Sequence, residues 1–292
     1  MTRFFRGPVV CGVDLSDASC RALTRASALA DTLRRPLTVV SVIDPLIAEA
    51  AGTRMGSASF LARVRQDLDV FIRTTLGPRR GGRKVSVRTP TGPVAKELVA
   101  AAGAVRAGLI VIGTEGLGRA RRFLFGSTTL GVLRRTRWPV LAVPPPGDSA
   151  PPGADRIERI LCGIDFSEPS RAAARAGVVF GRVLGAPVTL VHAVGRVTLP
   201  SMWDVMVSPT DAERGSQARR TLLALAARLG TPVPAVLVGL GEADEVLGRE
   251  AASGGEPLIV LGLGGLAGHR PGATAMRIMA ETRVPVLIVP KQ

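Results

Sequence analysis

The stretch of this chain best equipped for chemistry is Gly113-x2-Gly116-x9-Gly126-Ser127-Thr128. It follows the apolar run Leu109-Ile110-Val111-Ile112 and opens a helical pattern through Leu130, Leu133 and Arg137. Glycines at 113 and 116 let the backbone come close to a ligand and adopt positive φ. Gly126-Ser127-Thr128 at a helix start offers unpaired N–H groups, two hydroxyls and the positive end of the helix dipole. Together these parts read as a phosphate cradle. It is neither the dinucleotide fingerprint nor the P-loop, because no Gly-Lys-Ser/Thr follows and the spacing differs from both. A tight strand-to-helix turn with no ligand is the competing explanation; the coincidence of three glycines with two hydroxyls weighs against it.

The elements that must hold this cradle alternate. Residues 9–13 read as a strand, and Ser16 begins a helix whose apolar positions Ala22, Leu23, Ala26, Ala30 and Leu33 keep helical spacing. A strand at 37–42, a helix on Phe60, Leu61, Val64, Leu68, Phe71 and Ile72, a strand at 84–88 and a helix at 93–105 follow. The strand 109–112, the helix after Gly126 and a strand at 139–143 complete the set. Such alternation predicts an α/β fold, a doubly wound parallel sheet of five strands with helices on both faces, and its ligands sit beyond the carboxyl ends of the strands. Asp14, Val42 with Ile43, and Gly113 close three of those strands. A ligand there would lay an apolar flat part on Val13, Val42 and Ile112 and a polyanion on Gly116, Gly126, Ser127 and Thr128. A nucleotide has that layout. Asp14 has a second reading, as a cap on the helix beginning near Ser16.

The unit is present twice. Val10-Cys11-Gly12-Val13-Asp14-Leu15-Ser16-Asp17 recurs as Leu161-Cys162-Gly163-Ile164-Asp165-Phe166-Ser167-Glu168, and Pro139-Val140-Leu141-Ala142-Val143-Pro144 recurs as Pro285-Val286-Leu287-Ile288-Val289-Pro290. The implied boundaries are a first domain at 1–147, a Pro/Gly linker at 148–155 and a second domain at 156–292. A sequence of 292 residues, 46% hydrophobic, is long enough for two cores.

The Gly113-x2-Gly116-x9-Gly126-Ser127 pattern, flanked by Leu109-Ile110-Val111-Ile112 and Pro139-Val140-Leu141-Ala142-Val143-Pro144, resembles the ATP-binding signature of the universal stress protein family. The whole chain is similar to tandem members of that family. The resemblance implies a Rossmann-like fold of the adenine-nucleotide alpha-hydrolase type, binding of ATP or another adenine nucleotide, and a nucleotide-dependent regulatory role in stress response. Carried over by position, the adenine side falls on Gly12, Val13, Asp14, Val42 and Ile112. Ribose and phosphates fall on Gly113, Gly116, Gly126, Ser127 and Thr128. Apart from the resemblance, Arg119, Arg121 and Arg122 lie within the nine-residue loop, where guanidinium groups suit a β- or γ-phosphate, a solvated arginine-rich face being the competing reading. ATP is expected with Mg²⁺.

The second copy departs from the pattern. Gly262-Leu263-Gly264-Gly265 keeps two glycines, but Gly272-Ala273-Thr274 aligns with Gly126-Ser127-Thr128, the intervening loop is three residues shorter, and an alanine replaces the serine. One competent site is therefore expected, in the first copy. Charge agrees: residues 1–150 carry 23 Lys+Arg against 10 Asp+Glu, residues 151–292 carry 15 against 13.

Other function classes are less well served. The basic clusters Arg79, Arg80, Arg83, Lys84 and Arg134, Arg135, Arg137 lack interleaved stacking aromatics, which argues against nucleic acid. His192 and His269 lie beside no recognisable nucleophile, so a binding protein is expected, not an enzyme; slow ATP hydrolysis, with Asp14 or Glu115 orienting water, stays open. Three cysteines without metal-ligand spacing fit reduced thiols, and with no apolar run near 18 residues and no signal segment the expectation is a cytoplasmic protein without a membrane partner. The short apolar last strands suggest that the two domains pair as an internal pseudo-dimer. A homodimer would then use another surface, a downstream protein partner is implied without being identified, and a nucleotide-free dimerisation or interaction scaffold is the alternative function.

Overall fold

The computed structural model describes residues 5–77, 85–114, 127–145, 156–195, 210–230, 232–264, 273–282 and 284–291. Two compact units are present, Met1–Asp155 and Arg156–Gln292. The linker expected at 148–155 lies outside the described residues.

In the first unit β1 (Val9–Gly12), α1 (Asp17–Thr32), β2 (Leu37–Val40), α2 (Pro45–Met55), α3 (Ser57–Leu76) and β3 (Val85–Arg88) are followed by α4 (Val94–Ala104), β4 (Leu109–Gly113), α5 (Ser127–Leu133) and β5 (Val140–Val143). The strands are parallel, in the order β3-β2-β1-β4-β5. Val9, Val10, Cys11, Leu109, Ile110, Val111 and the whole of β5 are fully buried, as expected of strands covered on both faces. Helix α1 packs with α3, and α4 with α5. Right-handed crossovers from a sheet whose winding reverses between β1 and β4 put these pairs on opposite faces.

The second unit repeats the plan. It contains β6 (Arg159–Gly163), α6 (Glu168–Leu184), β7 (Val188–Val194), α7 (Asp211–Arg228), β8 (Ala235–Leu240), α8 (Ala243–Ala252), β9 (Pro257–Gly262), α9 (Ala273–Glu281) and β10 (Val286–Val289). Its parallel order is β8-β7-β6-β9-β10. Close helix–sheet packing depends on glycine here: a Cβ on Gly177 of α6 would lie 2.4 Å from the Cys162 Sγ. The capping box expected at Thr210 is formed, the Thr210 N–H donating to Glu213 Oε2 at 2.7 Å and the Glu213 N–H to Thr210 Oγ1 at 3.2 Å. At the far end of this unit Arg159 closes α8, donating to the Glu250 and Ala251 carbonyls at 2.7 and 3.0 Å.

Two elements differ from the sequence reading. The second strand, expected to run through Val42, ends at Val40; Ile43 bridges to Thr91 instead. The helix expected around residues 60–72 is α3, and it is preceded by a further helix, α2, in a stretch where none was expected. Asp44 caps α2 by accepting from the Leu46 N–H at 2.8 Å, with Pro45 at the first helical position, and Gly56 at φ +81° separates α2 from α3. Helix α2 buries none of its residues, so it carries no apolar period from which it could be read.

Candidate nucleotide site at the sheet switch point

The reversal between β1 and β4 determines where ligand-facing groups collect. Pairing of Val9 with Leu109 and Cys11 with Val111 brings both strands to their carboxyl ends together, so that Val13 and Asp14 leave the sheet beside Gly113. The Val13 N–H donates to the Val40 carbonyl at 2.9 Å and the Thr114 N–H to the Val143 carbonyl at 3.0 Å, drawing the exits of β1, β2, β4 and β5 to one end.

The cradle's helix is tied to this end by a residue that sequence reasoning passed over. Thr129, 1% exposed in the first turn of α5, donates its hydroxyl to the Gly113 carbonyl at 3.3 Å. That bond brings the start of α5 beside the end of β4. Ser127 is exposed and Thr128 half-buried, and neither hydroxyl bonds to a described residue. The signal in the sequence was the run of three hydroxyl residues, of which only the first two had been assigned. With seven residues α5 is two turns long, so its N–H groups and hydroxyls, rather than a long helix dipole, are what it offers an anion. Gly116, Arg119 and Gly126 lie outside the described residues, as do Glu115, Arg121 and Arg122.

The remaining expected residues divide by role. Val13 and Ile112 are buried, 6% and 4% exposed, and belong to the floor; Val42 is half-buried and keeps accessible surface. Gly12 and Gly113 have packing reasons of their own. A Cβ on Gly12 would stand 2.9 Å from the Leu98 side chain, and one on Gly113 would stand 3.2 Å from the Ala18 carbonyl oxygen. These two glycines let α4 and α1 approach the strand ends.

Asp14 does the work of a local organiser. Its Oδ1 accepts from the Ser16 N–H at 3.1 Å, the Ser16 hydroxyl at 2.5 Å and the Ser19 hydroxyl at 2.8 Å, while Ser16 is the N-cap of α1. The cap of α1 is therefore Ser16 and not Asp14, which stands two residues before it and braces the capping turn at a place that is also beside the crevice. Between the two stands Leu15 at φ +64°, a conformation that costs a non-glycine residue roughly 1–3 kcal/mol and clusters at functional turns.

The second unit copies the turn and changes what surrounds it. Asp165 Oδ1 accepts from the Ser167 N–H at 3.0 Å and the Ser167 hydroxyl at 2.5 Å, and Phe166 adopts φ +62°. Burial by itself would raise the Asp165 carboxyl; hydrogen bonds from the Ser167 and Ser170 hydroxyls and the Ser167 N–H overcome it and hold the group below its ordinary value. The position of Thr129 is taken by Ala275, 5% exposed, which has no hydroxyl to tie α9 to β9. His269 lies outside the described residues. His192, at the place of Ser41, shares a 2.6 Å hydrogen bond between its Nδ1 and the Ile164 carbonyl and stacks obliquely on Phe166, with ring centroids 4.6 Å apart.

Cysteine chemistry is muted. Burial pushes the Cys162 thiol up to about 12 and that of Cys11 higher still, so both stay protonated. Among the described residues no group of three or more His, Cys, Asp or Glu side chains is placed to hold a metal ion, and no helix is long and apolar enough to cross a membrane.

The description of the universal stress protein family matches residues 6–144 and, separately, 156–290. The chain belongs to the universal stress protein family. It carries two universal stress protein domains in tandem, and two solved structures share that plan over nearly the whole length. A universal stress protein from Archaeoglobus fulgidus DSM 4304 aligns at 16% identity over 98% of each chain with a TM-score of 0.68. A universal stress protein from Pseudomonas aeruginosa UCBPP-PA14 aligns at 17% identity over 98% of this chain and 93% of its own, with a TM-score of 0.64. What these universal stress proteins share with the chain at such identity is the fold. No curated protein matches it in sequence.

Proposed function

We propose that the first universal stress protein domain binds ATP or another adenine nucleotide and that the protein acts as a nucleotide-dependent regulator in stress response. The observation that carries this reading is the Thr129–Gly113 hydrogen bond, which with the β1–β4 register gathers Asp14, Gly113, Ser127 and Thr128 at one end of the sheet. The base lies against Val42 over the floor of Val13 and Ile112, and the phosphates meet the two unengaged hydroxyls and the first N–H groups of α5. Mg²⁺ enters with the phosphates and offsets their charge, since the described residues offer no cage of their own for it.

In this reading the protein binds without turning over, and the second domain, lacking the Ser127 and Thr129 hydroxyls, takes no triphosphate. Cytoplasmic location, pairing of the two domains, a homodimer and an unidentified protein partner belong to the same proposal. Titration calorimetry with ATP and Mg²⁺ tests it, with close to one site per chain expected. A hydrogen bond to a charged oxygen contributes about 1.5–3 kcal/mol, so Ser127→Ala weakens binding roughly ten- to hundredfold. No heat from the wild-type protein, or two equal sites per chain, would refute the assignment, and phosphate release above background would refute the absence of turnover.

A further inference from the structure

The outer edge of the first sheet keeps a complete row of backbone donors and acceptors. Strand β3 ends the order β3-β2-β1-β4-β5, and among the described residues no strand lies beyond it. Its inner row is spent on β2: the Arg88 and Pro90 carbonyls accept from the Ser41 and Ile43 N–H groups at 3.0 and 2.8 Å. Backbone groups alternate in direction along a strand, so Val85, Val87 and Thr89 turn their N–H and C=O groups outward, where no described group bonds to them. Proline commonly guards an edge by facing its missing N–H to solvent. Pro90 faces β2 instead, which leaves the outer row whole.

A groove of about 730 Å³ follows this row between α3 and α4, a volume within the range of ligand sites. Arg88 lies in register with Val40, and Val40 with Gly12, whose Cβ would meet Leu98 of α4. Arg88 therefore projects to the α4 side, and Val87, 44% exposed, to the α3 side. Ala100 and Ala104 keep the α4 wall low, while the α3 wall carries Arg65 and Asp69. Arg73 takes Asp69 at 2.6 Å, and Glu97 folds over Gly92, whose Cβ would stand 2.8 Å from the Glu97 side chain. Arg65 and Arg88 are left exposed, one on each side of the groove, and neither is paired with a described carboxylate. Residues 1–150 carry 23 Lys+Arg against 10 Asp+Glu, so the field around this edge draws acidic chains. A row of donors and acceptors repeating every second residue is matched by another extended backbone and by no compact small molecule.

We propose that an extended acidic segment of another protein adds to β3 as a further strand, its backbone pairing with Val85, Val87 and Thr89 and its carboxylates meeting Arg65 and Arg88. The main-chain bonds hold the segment, and the two arginines select its charge. This gives the protein partner of the proposed function a docking edge, and it does not depend on nucleotide binding, since none of its residues belongs to the cradle.

The probe is a fluorescein-labelled octapeptide alternating glutamate and valine, added to the full chain and followed by fluorescence anisotropy and backbone hydrogen exchange. One peptide per chain is expected, and exchange of the Val85, Val87 and Thr89 amides should slow about tenfold at saturation. The same peptide N-methylated throughout, and one alternating lysine and valine, should both fail to bind. Val87→Pro removes one outward N–H without touching the ladder to β2 and should weaken the peptide about tenfold. Arg65→Ala combined with Arg88→Ala should weaken it roughly three- to tenfold. Ser127→Ala should leave it unchanged, so loss of ATP binding and loss of peptide binding are separate results. No binding of the glutamate–valine peptide, equal binding of its N-methylated form, or binding that leaves exchange of the three amides unaltered would overturn the proposal. So would a chain whose doubled mass in light scattering is halved by Val87→Pro, because the edge would then belong to a second copy.

Discussion

Replacing Thr129 by valine tests whether one buried hydroxyl fastens the phosphate-binding helix to the sheet. Valine keeps the branched shape and nearly the volume of threonine, so the substitution opens no cavity; what it removes is the 3.3 Å hydrogen bond to the Gly113 carbonyl in a side chain that is 1% exposed. A neutral hydrogen bond contributes about 0.5–1.5 kcal/mol net, and the carbonyl of half-buried Gly113, deprived of its partner, adds to the loss, so the first unit is expected to lose about 1–2 kcal/mol. For a domain of this size each kcal/mol moves the midpoint by about 2–4 °C, giving a drop of about 2–8 °C. Scanning calorimetry of the intact chain should show the transition of the first unit falling while that of the second holds. Thr129→Ser keeps the donor and separates the hydrogen bond from the methyl contact; it should recover most of the loss. A midpoint that moves less than about 1 °C in the valine variant, or a serine variant that falls as far as valine, would refute the anchoring argument.

Further expectations follow from the same geometry. Gly262→Ala should destabilise more than Gly113→Ala, because its Cβ would meet the Pro169 backbone at 2.4 Å where that of Gly113 meets the Ala18 carbonyl at 3.2 Å; urea unfolding of both variants ranks them. At pH 8 iodoacetamide followed by mass spectrometry should label Cys20 alone in the folded protein, since Cys11 and Cys162 are buried and held protonated, Cys162 up to about 12; labelling of all three without denaturant contradicts the burial. The Asp165 carboxyl titrates below its ordinary value when folded, so its contribution to stability is present above about pH 4 and fades as pH falls through the folded value. Asp165→Asn should therefore cost stability at pH 7 and progressively less toward pH 3, read from denaturant midpoints. Arg159→Ala, which strips two carbonyl bonds from the end of α8 and an ion pair to Glu250, should cost about 2–3 kcal/mol, while removing the exposed Arg175–Glu168 pair should cost under about 1 kcal/mol.

Much of this molecule is written locally. The tandem plan, the parallel strands and the capped helices are legible because short apolar runs, Ser16, Ser167 and the Thr210–Glu213 pair act through near neighbours in the chain. Helix α2 escaped because it buries nothing and so prints no apolar period. The second strand was overextended because Val42 and Ile43 are as apolar as the strand proper, and only the bridge from Ile43 to Thr91 and the cap at Asp44 show where the chain turns away. In the site, sequence supplied the glycines and hydroxyls of the cradle but not their duties. Gly12 and Gly113 answer to Leu98 and Ala18, residues that no spacing rule connects to them.

The amino-acid sequence by itself determined a duplicated α/β unit and the types of residue gathered around residues 113–128, because periodicity, capping and repetition are properties of a chain read along its length. The tertiary structure alone decided that Thr129 reaches Gly113, that Asp14 spends its carboxylate on the first turn of α1, and that Phe166 and His192 meet in the second unit. Those contacts depend on strand register and on how closely helices settle against the sheet, distances across the fold that no local pattern encodes.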